Sequence, residues 1–363
     1  MDGRFERKSF AEINLDDPFF DSLKQDYGGD SPQSFIPWFN RKADEGKKAL
    51  VFEDANGIGA FINLKAGEDE EIPLDNGTIL PRIPRMKIST MKIDDRYRGR
   101  RIGEGALGLT LWKWRDSGSN EIYVTVYPKH ETLILLLERY GFTLAGKKAN
   151  GECVYIKDRR HLDFSDPCKA FPFLSGSIQQ AGCIPIDMTY HDTMFAASEV
   201  ANTLQERVDI SVANGLKKVY IGSAKRLGFK AGDPVFIYRK YTGNQGKPGH
   251  KSCITSYCIA TRIEIVKSNG QELIPYDKYR HIIGNKSVFD EMELQTKYNT
   301  LPNLTLIELL YYGFFGAGNN VNWFWLNDNG CWPGYPISAT YTREQFDKIM
   351  RRGNVDVENV IIN

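Results

Sequence analysis

Along the first 160 residues, apolar positions switch several times between a period of two and a period of three to four. Ser9 to Asn14 reads as a short strand. Asp16 to Asp26 reads as a capped helix with Pro18 in its first turn, and Ser31 to Gly46 as a second, with Phe35, Trp38, Phe39 and Ala43 near one face. Ala49 to Asp54 and Gly57 to Lys65 form a hairpin around Ala55-Asn56-Gly57. Arg85 to Ile93 alternates as a strand, an Arg/Gly-rich turn runs from Arg96 to Gly103, and an amphipathic helix begins near Glu104. A strand, Glu121 to Tyr127, leads past Pro128 into a helix over Lys129 to Phe142, with Gly141 as its C-terminal glycine. Phe142 to Gly146 and Glu152 to Lys157 make a closing strand pair.

The pattern then breaks. Asp158 to His161 is charged, and Pro167, Pro172 and Pro185 interrupt regular structure, so residues 161–185 read as a linker. Ser198 to Asn214 reads as a helix carrying Val200, Leu204, Val208 and Val212 on one face. From Lys217 the chain is β-rich: a short strand at Val219 to Gly222, a turn at Ala231-Gly232-Asp233 opening a strand to Arg239, and a long strand over Ile254 to Val266. Tyr276 to His281 and Ser287 to Lys297 read as a helical insertion, and Leu304 to Phe315 as core. Trp323, Trp325 and Trp332 stand among Asn and Gly residues, as a recognition loop or a packed lid. Thr342 caps a last helix, with Gln345 three residues on. The expected class is α+β in two domains, residues 1–160 and 186–363, consistent with a chain of 363 residues.

A net charge of +1 argues against a strongly basic nucleic-acid protein but leaves room for a local basic surface. No apolar run reaches the ~20 residues of a membrane span, and the N-terminus lacks a signal-peptide core. The six cysteines show no CxxC and the histidines complete no metal pattern, so reduced thiols in the cytoplasm and no metal are expected.

The strand, basic glycine turn and helix between Arg85 and Trp114 make an anion site, because the turn presents unpaired N–H groups at the positive end of the helix dipole. Neither GxxxxGK[ST] nor GxGxxG is present. Arg98-x-x-Arg101-Ile102-Gly103 instead resembles the acyl-CoA loop of the GNAT N-acetyltransferases, [QR]-x-x-G-x-[GA], with Arg101 at the middle glycine. The strand and helix ending at Gly141-Phe142 are similar to the second half of that family's signature. The resemblance covers residues 1–160 and implies a mixed central sheet flanked by helices, with acetyl-CoA as cosubstrate. The implied cofactor residues are Met91, Ile93, Arg98, Gly99, Arg100, Arg101, Ile102 and Gly103. It also implies transfer to a primary amine and suggests a homodimer.

Two family residues are replaced: the common Asn is His130, and the Tyr often assigned as acid is Leu137. Tyr127, His130 and Tyr140 remain as candidate catalytic groups, and Glu68 to Glu71 as an acidic run that is either a base or a solvated loop. Beyond Lys217 the order resembles the PUA-like group, including ASCH and EVE domains, and implies a β-rich barrel with helical additions. On that resemblance Arg239, Lys240, Tyr241 and Arg262 are nucleic-acid candidates, and an RNA-linked acceptor such as an aminoacyl-tRNA or a modified base is implied. A protein lysine or N-terminal amine remains an alternative acceptor. So does a non-catalytic, acyl-CoA-sensing nucleic-acid-binding protein.

Overall fold

The computed structural model describes residues 2–29, 31, 33–196, 215–244 and 246–362; the helix expected over Ser198 to Asn214 lies outside them. The chain divides into two compact units, Met1–His161 and Leu162–Asn363.

In the first unit β1 (Asp2–Ser9) ends where Ser9 and Glu12 form a reciprocal capping box. That box turns Phe10–Glu12 into one turn of 3-10 helix, so the first strand lies ahead of Ser9 rather than after it. A 3-10 turn, Pro18–Phe20, leads into α1 (Asp21–Asp26), and α2 (Phe35–Asp44) follows. β2 (Lys48–Asp54) and β3 (Gly57–Glu68) form the expected hairpin. A small ladder, β4 (Ile72–Pro73) with β5 (Ile79–Leu80), precedes β6 (Arg85–Ile93). Then come α3 (Ile102–Ser117), β7 (Glu121–Val126), α4 (Glu131–Arg139), β8 (Thr143–Lys147) and β9 (Cys153–Asp158).

The sheet order is β1-β2-β3-β6-β7-β9-β8, with β6 and β7 its parallel neighbours. Alternation along β3 divides the core between the two faces. Phe61 joins Phe10, Phe20, Phe35 and Phe39 on the side of α1 and α2, whereas Ile62 faces Ala106 of α3. Each buried Phe contributes roughly 1.5–3 kcal/mol of hydrophobic stabilisation. Gly141 ends α4 at φ 81, and the Phe142 N–H returns to the Leu137 carbonyl, which satisfies the helix end without water.

The second unit is built on an eight-stranded sheet. β10 (Leu174–Ser175) pairs separately with a C-terminal strand, described last. β11 (Gln180–Asp187), β12 (Lys217–Gly222), β13 (Pro234–Lys240) and β14 (Cys253–Ser268) follow, with β15 (Gln271–Glu272) on the end of β14. β16 (Leu304–Phe314), β17 (Val321–Asn322) and β18 (Tyr341–Thr342) complete it, and β19 (Ile361–Ile362), outside that sheet, is the partner of β10.

The strand order β12-β16-β14-β13-β11-β18 is open, which corrects the expected barrel: among the described residues β12 and β18 are edges and no sheet closes. Three register shifts bend β14 against β16, but the two-residue β18 is too short to carry the curl round to β12. Residues 161–185 are also not a bare linker. Ala181, Cys183 and Ile184 are buried core of β11, and Pro185 is accommodated within its parallel pairing to β13. The expected helical insertion is present as Tyr276–Ile283 and Glu291–Thr300, packing Tyr279, Leu294 and Tyr298 over β16. The six cysteines are free and buried, and Cys253 and Cys258 both lie on β14.

Candidate functional site

β6 and β7 are joined at one end and parted at the other. They pair only from Arg85–Glu121 to Ile88–Val124. At the joined end the buried Arg85 Nε donates to Glu121 at 2.7 Å, and Arg160 meets the other oxygen of Glu121 at 2.8 Å. On its opposite edge β6 skips one residue against β3: Ile88 pairs with Leu64 and Thr90 with Asn63, leaving Ser89 as a bulge. A bulge bends its strand and increases the local twist. β6 leaves β7 at that residue, so the backbone groups of Ser89 to Ile93 on the β7 side take no part in the β6–β7 ladder. The Ser89 hydroxyl is buried there without a hydrogen-bond partner among the described residues.

Past the open end of β6, Asp94 caps a 3-10 turn, Asp95–Tyr97, and the chain reaches α3 through Arg98 to Arg101. The four arginines of this stretch divide into three kinds. Arg96 is structural: it pairs with Asp94 at 3.0 Å and donates to the Asn56 and Ile58 carbonyls at 2.5 and 2.8 Å, closing the β2–β3 hairpin. Arg98 is exposed and lies 2.8 Å from Asp95, and Arg100 is also exposed.

Arg101 caps α3 at φ 59, a left-handed conformation that costs a residue with a side chain about 1–2 kcal/mol. Its side chain runs along the helix to Glu104, where Nε donates at 2.9 Å; Tyr140 donates to the other Glu104 oxygen at 2.9 Å. Nη2 is 2.8 Å from Glu104 but lacks hydrogen-bond geometry, and Nη1 and Nη2 are buried without an acceptor among the described residues. This arrangement suits an anion. Two buried nitrogens of the one Arg101 guanidinium lack hydrogen-bond acceptors among the described residues, Gly99 at φ 79 has nothing within 4 Å of where a Cβ would stand, and the first N–H groups of α3 have no carbonyl within the helix. Gly103 lies beside Leu136 and Ile93, with a Cβ position 3.6 and 3.9 Å from them, so its smallness is not demanded by the fold.

Tyr127 and His130 follow β7 at its open end. The Tyr127 ring lies 5.8 Å from Tyr27, with Lys129 above it paired to Asp26 at 2.6 Å. His130 stands at the N-cap of α4, where burial and then the Lys129 charge hold its imidazole below the ordinary value and favour the neutral form. Tyr140 is fully buried and its hydroxyl is engaged by Glu104, so it steadies the loop rather than facing the open end. Leu137 is fully buried and presents no proton donor. Of the acidic run, Glu70 accepts from Tyr123 at 2.8 Å and Lys87 at 3.2 Å; burial acts to raise its carboxyl, but these donors prevail and hold it below its usual range, which weakens it as a base.

Glu152 was not legible from sequence. It is buried ahead of β9 and accepts from Thr125 at 3.2 Å and from Asn150 at 2.9 Å, with the Tyr27 hydroxyl 3.5 Å away. Thr125 lies on the end of β7 that β6 does not reach, while β9 still pairs it through Val154, so the carboxylate stands at that end of the strand. Only the fold brings it there.

The nucleic-acid candidates of the second unit are largely committed elsewhere. Arg239 is buried and grips Asp192 through two donors at 2.7 and 2.8 Å. Lys240 lies 3.1 Å from Asp187, Arg262 lies 2.6 Å from Glu264, and Tyr241 sits under Lys251 at 4.7 Å. Among the described residues no three His, Cys, Asp or Glu side chains converge for a metal, and no helix is long and apolar enough to cross a membrane.

No family model matches the chain, and no curated protein matches it. Solved structures are similar over parts of it. Ard1 of Thermoplasma volcanium is 15% identical, with 43% of this chain and 95% of that one covered at a TM-score of 0.31. A GNAT-family acetyltransferase of Listeria monocytogenes is 18% identical, covering 39% and 83% at 0.28. An ASCH protein of Zymomonas mobilis is 11% identical, covering 47% and 94% at 0.31.

Proposed function

We propose that the first unit is an acetyl-CoA-dependent N-acetyltransferase domain acting on a primary amine. The observation that carries this reading is the parting of β6 from β7 at the Ser89 bulge, directly before an N–H-rich, arginine-bearing helix start. Acetyl-CoA supplies an activated acetyl thioester. The chain supplies the rest. The N–H groups of Arg101, Ile102 and Gly103, with the Arg101 guanidinium, hold the pyrophosphate, and Gly99 lets it approach. Arg98 and Arg100 add charge at the surface. The free backbone edge from Met91 to Ile93 takes the amides of the pantetheine arm in place of a neighbouring strand.

At the open end, neutral His130 takes the proton that the attacking amine must shed, with Glu152 and Tyr127 beside it to orient the amine. Tyr140 is a positioning residue acting through Glu104 on Arg101. An RNA-linked acceptor would rest on the second unit, where Arg239 and Arg262 are already paired, so an amine on a peptide or small molecule fits better.

The test is calorimetric titration with acetyl-CoA, followed by thiol release over a panel of amines. The expected result is 1:1 binding, lost in Gly103→Leu, and turnover whose acid limb lies below the ordinary histidine range and disappears in His130→Gln. No binding, or binding untouched in Gly103→Leu, would overturn the reading. A second reading, a sensor that binds without turnover, is favoured by buried Leu137 and by the engagement of Tyr140. It predicts binding and no thiol release on any amine.

A further inference from the structure

The second unit holds a cavity of about 890 Å³ that none of the residues discussed for acetyl transfer touches. Its size is that of a small-molecule site. Among the described residues eight aromatic side chains line it, including Tyr190, Tyr220, Tyr238, Phe289, Trp323 and Trp332. Most of these rings are not sealed in a core: Tyr190, Tyr220, Phe289, Trp323 and Trp332 are all partly exposed.

The rings brace one another from outside. Tyr190 packs on Phe289 at 4.9 Å, Tyr238 on Trp332 at 5.1 Å, and Trp323 stands 6.3 Å from Trp332 at 76°. Such contacts fix ring positions before any ligand arrives, and apolar rings held around an open space suit a flat partner that slides between them. The charge at the wall is one-sided. Among the described residues the charged lining is Lys240, Lys247 and Lys297 with one carboxylate, Asp187, which Lys240 pairs at 3.1 Å, so Lys247 and Lys297 carry the excess positive charge. Lys297 sits 4.2 Å above the Phe289 ring, placing a cation at the edge of an aromatic face. Polar groups of Ser252 and Tyr220 complete the lining.

We infer that this cavity binds a free mononucleotide, the base stacked among the rings and the phosphate met by the lysines. A planar ring together with an anion of this size is the ligand the lining complements. A polymer strand is the poorer fit. It needs a run of cations beyond the pocket to follow successive phosphates. The arginines expected to serve nucleic acid, Arg239 and Arg262, do not line the cavity and are held by Asp192 and Glu264. The inference does not rest on acetyl transfer by the first unit.

The test uses the full chain and the four common nucleoside monophosphates, read by tryptophan quenching and calorimetry. Their nucleosides and a ten-nucleotide RNA of mixed sequence are titrated in parallel. At least one monophosphate is expected to bind 1:1 with quenching, and Trp332→Ala to weaken it tenfold or more. Lys297→Gln is expected to weaken the monophosphate more than its nucleoside, while Gly103→Leu leaves this binding intact, separating it from the acetyl-CoA site. Retained near- and far-ultraviolet dichroism establishes that each variant is folded; Trp323→Phe provides a milder change if Trp332→Ala is not. No quenching by any monophosphate at millimolar concentration overturns the inference. Binding that survives Trp332→Ala and Trp323→Phe but fails in Gly103→Leu also overturns it, assigning the nucleotide to the first unit. RNA binding without monophosphate binding replaces it with a strand-binding groove.

Discussion

The two units make their sites from different materials. In the first the opening is a property of the main chain: a bulge at Ser89, a strand edge left unpaired, and a helix start with unsatisfied N–H groups. In the second the cavity is a property of side chains, rings and lysines drawn from positions 185 to 336. A backbone site tolerates wide change in sequence, since every residue but proline carries the same N–H and C=O. A side-chain site does not. The contrast teaches where a substitution will matter in each half.

The largest expected effect is at the joined end of β6 and β7. Arg85→Met leaves Glu121 buried with only the half-exposed Arg160, and should lower stability by about 3 kcal/mol in urea denaturation. A loss under ~1 kcal/mol would show that Arg160 alone secures the strands. Next, the contrast between materials can be measured directly. Arg98→Ala, on an exposed side chain, should change acetyl-CoA affinity by threefold or less, whereas Gly103→Leu, which obstructs the backbone, should cost more than tenfold, or about 1.4 kcal/mol. Equal losses would make the loop a side-chain site after all.

A third prediction concerns pH in the second unit. His191 is fully buried between Asp192, on Nδ1 at 2.8 Å, and Thr255, on Nε2 at 2.7 Å, with Arg239 and Phe195 also against it. Burial outweighs Asp192 and holds the imidazole below its ordinary 6.5. Below that pH the unfolded chain takes up a proton that the native chain resists. The stability contribution is therefore complete above pH 6.5 and declines as pH falls beneath it. The urea midpoint should drop between pH 7.5 and 5.5, by less in His191→Gln. An equal drop in both proteins would place the titrating group elsewhere.

The smallest effect is expected at Arg101. Glycine there removes about 1–2 kcal/mol of backbone strain but also the Glu104 pair, so Arg101→Gly should shift stability by under ~1 kcal/mol while acetyl-CoA affinity falls a fewfold. A gain in affinity would show that the guanidinium obstructs the loop.

Legibility from sequence followed the same division. β6, the β2–β3 hairpin, the Gly141 helix end and the Thr342 cap were readable because periodicity and caps are local. Ser9 to Asn14 alternates as a strand would, yet the Ser9–Glu12 capping box turns that stretch into 3-10 helix and leaves the strand ahead of it. The pairing of Arg239 with Asp192, 47 residues away, and the place of Glu152 beside Thr125 depend on contacts that no local pattern encodes. Proline at 185 looked like an interruption, yet it sits inside a parallel strand pair. The cavity was visible only as scattered tyrosines and tryptophans.

The extra residue in β6 also changes how that strand must be counted. Ile88 and Met91 pair with Leu64 and Ile62, which share a face of β3, so odd and even positions exchange meaning at Ser89. A saturation scan of the strand should show apolar preference at 86, 88, 91 and 93, a rhythm with one missed beat. Removing Ser89 alone would bring Ile88 and Met91 two places apart, restoring plain alternation against β3 and erasing the bend at which β6 parts from β7.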